Sequence, residues 1–416
     1  MISSSSHPQP PIQNRRPTSN RPAVTRSFFL IALLLTLTAA FSSSGALNAM
    51  RAPFLVIDNT TMRLEELPEG TAGMMAEYVP EAGVVYILGG YRTSGANKVL
   101  SKSVWAYDPL LDSLSRLPDL PYGLALAGSE YVTSEGKIYL FSGLDDEDGP
   151  VTLHSTVRAY NVKTGELEIL HEHSNSEMTG THNSAVYVPD QNKIYTFFGG
   201  PDEVAPTFPG GIPFKALNLT NGNYENIGNA PSIDTANIWQ SAHLVSLPYP
   251  MVRQPEPADA TNVVAEKFIM LLGTKGYALF NPANQSFVEA DSSIQLYHPR
   301  GASTAFIPGL QKVFLTGGTL HTGTCNSVIL ELDPRLPAEG NSVNSSGFLP
   351  SEIGFQSDAT AVYVSDLDRV LFFGGFKTPS GCNSGWPLAP SDGYHTGIYS
   401  LSPEYDGGWG QAGLIP

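Results

Sequence analysis

The sequence predicts an all-β chain in which six copies of a four-stranded antiparallel meander stack around one axis. Three observations carry this. A short apolar run ending in glycine recurs six times. Alternating segments precede these runs, and further strand-like segments follow them. The composition, 40 Gly and 33 Pro in 416 residues, suits many short strands joined by tight turns better than long helices.

The runs are GVVYILGG, GKIYLFSG, NKIYTFFGG, EKFIMLLG, QKVFLTGG and DRVLFFGG, ending at Gly90, Gly143, Gly200, Gly273, Gly318 and Gly375. Each is too short and too rich in β-branched and aromatic residues for a helix. Self-similarity at a spacing of about 50 residues marks a stacked-repeat architecture. Before the runs stand segments such as LALAGSEYV, HNSAVYV, GASTAFI and DATAVYV, in which small and larger residues alternate as a crowded inner strand requires. Hairpin-length connections join the two.

After each run, beyond a variable loop, come SVWAYDP, TVRAYNV, PFKALNL, GYALFNP, SVILELDP and GIYSLSP. Seven residues past the large residue of these segments stands another apolar side chain: Tyr107 leads to Leu114, Tyr160 to Leu167, Leu217 to Tyr224 and Phe280 to Phe287. The last two copies break that spacing, with Phe348 and Trp409 as substitutes. Each copy then reads as four strands buried on both faces, which explains the continuously apolar second strand.

An apolar strand ending in Gly-Gly, a Tyr-Asp-Pro-like turn and a large residue seven positions on resemble the kelch repeat, within the superfamily of the galactose oxidase central domain. VYILGG with AYDPLLDSL, IYLFSG with AYNVKTGEL and FLTGG with LELDP carry the likeness, which spans most of residues 53–416. Leu, Tyr or Phe stands where the family usually has Trp. The resemblance implies a six-bladed β-propeller over residues 50–416. Residues 53–68 would supply extra strands that pair with the C-terminal blade and close the ring; seven blades is the alternative.

Residues 1–49 read as a targeting segment. Arg15, Arg16, Arg21 and Arg26 precede the apolar run Phe28–Phe41, which is shorter than the roughly 20 residues a bilayer span needs. A cleaved signal peptide is expected, with a signal anchor or an organelle transit peptide as alternatives. Secretion agrees with sequons at Asn59, Asn218, Asn284 and Asn344, and with two cysteines, Cys325 and Cys382, expected to form one disulfide. The formal net charge of −16 excludes a nucleic-acid-binding role and disfavours anionic membrane surfaces.

The connections after the Gly pairs are longer than the hairpin turns at the opposite end, so binding is expected at the Gly-pair end. Candidate residues there are Tyr91, Asp145, Asp146, Asp148, Phe208, Trp386, Tyr394 and His395. The acidic loop Leu144–Asp148 lacks EF-hand spacing and reads as solvated, with calcium an outside alternative. His171 and His173 share one side of an outer strand, too few ligands for a metal site. No P-loop, HExxH or GxSxG motif is present. The expected function is a monomeric, secreted scaffold for a protein or carbohydrate ligand, with no cofactor. The family likeness implies two alternatives: a copper radical oxidase using Tyr297, His298, Tyr394, His395 and the cysteines, or a sugar isomerase or mutarotase.

Overall fold

A computed structural model describes residues 66–94, 97–147, 149–172, 183–197, 212–231, 239–249, 264–273, 276–291, 301–318, 328–334, 343–348, 356–377, 393–394 and 396–401. Among them the chain is all-β, apart from one 3-10 turn at Pro189–Gln191. No helix among the described residues is long and apolar enough to cross a membrane.

Five antiparallel sheets have four strands in sequence order. Their inner strands are Met75–Val79, Gly128–Val132, Ser184–Val188, Trp239–Tyr249 and Ser303–Ile307 (units 1 to 5). A sixth sheet, unit 6, joins Thr360–Val364, Arg369–Phe373 and Ile398–Leu401. Every Gly-ended run is the second strand of its meander.

The seven-residue rule turns out to be a pairing rule. Tyr107 lies opposite Leu114, Tyr160 opposite Leu167, Leu217 opposite Tyr224 and Phe280 opposite Phe287. The turn chemistry enforces this register. The Asx residue after each large residue folds back: Asp108 accepts from the N–H of Leu110, Asn161 from Lys163, Asn218 from Thr220 and Asn281 from Ala283. In unit 5 the expectation fails. Leu332 pairs with Val343, and Phe348 lies opposite Val328 at the other end of the strand pair. Trp409 lies outside the described residues.

The core is a set of layers between sheets. One apolar cluster joins units 1 and 2, another units 2 and 3, and so on through units 5 and 6. A further cluster joins unit 6 to unit 1, where Tyr107 meets Phe373 edge-on at 5.9 Å between ring centroids. The N-terminal piece begins to be described at Glu66, which bridges antiparallel to Gly397 next to the third strand of unit 6.

Candidate functional site

The Gly pairs position the end of the molecule where the long connections lie. In units 1, 2 and 6 the pairing of inner and second strands is interrupted at the glycines and resumes beyond them as a small auxiliary sheet. Ala72 bridges Tyr91, which heads the hairpin Tyr91–Ser94 with Asn97–Leu100. Leu144–Asp145 pairs with Leu124–Ala125 and with Thr152–Leu153. Phe376–Lys377 pairs with Gln356–Ser357 and Gly393–Tyr394. Glycine is required at the kink. Gly89 and Gly374 have φ of 64° and 60°. A Cβ on either would lie inside contact distance of a carbonyl oxygen, that of Leu124 or Thr71.

Beneath this collar runs a belt of backbone hydrogen bonds from one inner strand to the next. The Leu126 N–H donates to Gly73 O, the Gly73 N–H to Asp358 O, and the Asp358 N–H to Gly301 O, each at 2.8 Å. All four residues are left-handed, with φ of 58° at Leu126, 59° at Gly73, 56° at Asp358 and 72° at Gly301. Leu126 and Asp358 therefore carry backbone strain that the belt holds in place.

The structure brings several candidates together and changes their roles. Tyr91 was expected to present its ring for binding; it is completely buried, and its hydroxyl donates to Asp358 Oδ2 at 2.7 Å. Tyr394, half-buried, packs into the same cluster as Tyr91 and Leu144. The acidic loop is not uniformly solvated. Asp145 is fully buried and ion-paired to the equally buried Arg158. His154 Nε2 stands 3.0 Å from its other oxygen, and the Tyr122 hydroxyl accepts from Arg158 Nε at 2.9 Å. Burial pushes the Asp145 carboxyl up, against the opposing pull of Arg158 and His154. Asp146 accepts from the Gly123 N–H at 2.7 Å, which ties the loop to the run into unit 2. These residues build the collar; what they leave for a ligand is its outer rim.

Asn218 is half-buried at a strand end, Asn284 is exposed in a turn, and Asn344 lies on the strand Val343–Phe348. His171 donates to Gly222 O at 2.7 Å. Asn59, Asp148, His173, Phe208, Tyr297, His298, Cys325, Cys382, Trp386 and His395 lie outside the described residues.

Inside the collar, residues from all six inner strands line one cavity of about 210 Å³. A second cavity of about 420 Å³ continues toward the short-turn end. Glu77, His243 and Thr304 line both, and Glu130 joins them in the second. Glu77 accepts from Ser129 Oγ at 2.6 Å and from the Tyr131 N–H, so unit 1 caps the inner edge of unit 2. Glu130 repeats the move on unit 3 through the Tyr187 N–H. Burial pushes the Glu77 carboxyl up to about 7 against these hydrogen bonds. Glu130 is raised well above the ordinary carboxylate range, first by burial and then by the charge of Glu77. Across the channel, His243 Nε2 lies 3.0 Å from Thr304 Oγ1.

These channel groups were missed in the sequence, although a signal existed: AEYV and SEYV carry an acid where the third and sixth copies read AVYV.

A solved structure entitled "Structure of YjhT" superposes with a TM-score of 0.53 over 82% of this chain and 97% of its own length. The likeness is one of fold. At 14% sequence identity it extends no further than the β-propeller. No protein-family model matches the sequence, and no curated protein does either.

Proposed function

We propose that the chain is a secreted, closed six-bladed β-propeller that binds a protein or glycan ligand across its Gly-pair end. Closure is supported by the backbone belt, which runs from unit 2 through unit 1 and unit 6 to unit 5, and by the apolar cluster between units 6 and 1. In this reading the N-terminal segment at Glu66 supplies the outer strand of unit 6.

One observation carries the binding assignment: the auxiliary sheets of units 1, 2 and 6 raise the channel mouth along those three units, braced by Tyr91–Asp358 and Arg158–Asp145. A braced rim keeps a binding surface preorganised, which lowers the ordering cost on association. Secretion rests on the N-terminal segment and the exposed sequon at Asn284.

A glycan array and a pull-down from extracellular fluid, each with the whole mature chain, test the reading. Expected is a ligand whose binding falls when rim residues Arg92 and Glu147 are replaced by Ala. Blank results in both assays, or binding indifferent to those substitutions, would contradict it. Expressed in a secretory host, the chain is expected to lose mass on deglycosylation, and Asn284→Gln is expected to reduce that loss.

A further inference from the structure

The repeat makes two acids conspicuous. Two residues before the end of the inner strand stand Glu77, Glu130, Val186, Ala305 and Val362 in units 1, 2, 3, 5 and 6. His243 holds the equivalent register in unit 4, opposite Met270. Three units therefore fill this slot with an aliphatic side chain, and the fold is satisfied by one. Two adjacent units place carboxyls there, against the desolvation cost of burial.

The surroundings give those carboxyls no permanently charged cation. No Lys or Arg is among the residues lining either cavity. Toward the short-turn end the second cavity is lined by Tyr78, Tyr131 and Tyr363. Their hydroxyls meet further acids. Tyr131 donates to Glu81, Tyr363 to Asp368, and Tyr78 to Asp366. His243 is the single basic side chain lining the channel among the described residues. A separate observation points to a missing occupant. Ser184 lines the first cavity, is 7% exposed, and its Oγ has no hydrogen-bond partner. A buried hydroxyl in that state can take a partner that enters beside it.

We propose that the channel is a binding site for a small organic cation, an alkylammonium or short diamine, entered from the short-turn end. An ammonium group carries three donors and the charge that two neighbouring carboxylates lack. Its alkyl part lies against the phenol rings, whose faces attract cations. A metal ion is the weaker occupant, because the described residues contain no group of three or more side chains able to hold one. Binding favours the ionised carboxylates, so it releases protons and strengthens as pH rises through the range in which Glu77 ionises. The site lies away from the Gly-pair rim, so its failure would leave the proposed ligand surface untouched.

The test is calorimetric titration of the whole mature chain with 1,4-diaminobutane at pH 6 and pH 8, with 1,4-butanediol as the uncharged probe. Expected are diamine binding about tenfold tighter at pH 8 than at pH 6, proton release seen as a dependence of the heat on buffer ionisation enthalpy, and no diol binding. Glu77→Gln and Glu130→Gln are each expected to weaken the diamine about tenfold. No diamine binding at pH 8, equal binding of the diol, or affinity unchanged by Glu77→Gln in a folded variant would overturn the proposal. Should a variant not fold, the wild-type pH dependence and proton release decide alone.

Discussion

The two ends of the molecule handle buried charge in opposite ways. At the Gly-pair end, Asp145 meets Arg158 and His154, and Asp358 receives the Tyr91 hydroxyl. Toward the short-turn end, Glu77 and Glu130 face one channel, burial raises the proton affinity of both, and the charge of Glu77 raises that of Glu130 further. Pairing opposite charges fixes geometry. Placing like charges together leaves a proton free to come and go. The first end is built as a brace and the second as a titratable lining, although the same repeat supplies both.

Breaking the brace has the largest expected effect. Arg158→Met leaves Asp145 buried beside His154 alone, and denaturant unfolding should show a loss of about 3–5 kcal/mol. Gly374→Ala forces a left-handed alanine against the Thr71 carbonyl, between units 6 and 1. A loss on the order of 2–3 kcal/mol is expected, again from denaturant unfolding. Tyr91→Phe removes the phenol donor to Asp358 and is expected to cost about 1.5 kcal/mol, visible as a lower thermal midpoint. At the short-turn end, the turns contribute in smaller portions. Asn161→Ala removes the acceptor for the N–H groups of Lys163 and Thr164 and should cost about 1 kcal/mol or less. A turn substitution as damaging as Arg158→Met would erase the contrast between the ends.

Much of the fold was legible because repetition multiplies weak signals. Four independent pairs obeyed the seven-residue spacing, and all four are cross-strand partners. Unit 5 escaped because its longer connection moves Leu332 opposite Val343. The collar was hidden for a different reason. Tyr91 and Asp145 look like loop residues in sequence, and only the closeness of Asp358 and Arg158, from distant strands, makes them core. The channel acids were camouflaged by periodicity. In MAEYV and GSEYV the Glu reads as the polar member of an alternating strand. In a stacked unit that side faces a neighbouring strand and the channel instead of bulk water.

The central claim, a like-charged carboxyl pair confined in the channel, is tested most directly by the thermal midpoint as a function of pH from 5 to 8. A carboxyl raised on folding favours the native state while protonated. That contribution is full at low pH and is lost as pH climbs from the ordinary carboxylate range through about 7. The wild-type midpoint should therefore fall more steeply with pH than that of the Glu77→Gln/Glu130→Gln double variant. Parallel profiles, or a wild-type midpoint that rises relative to the variant over this interval, would contradict the claim.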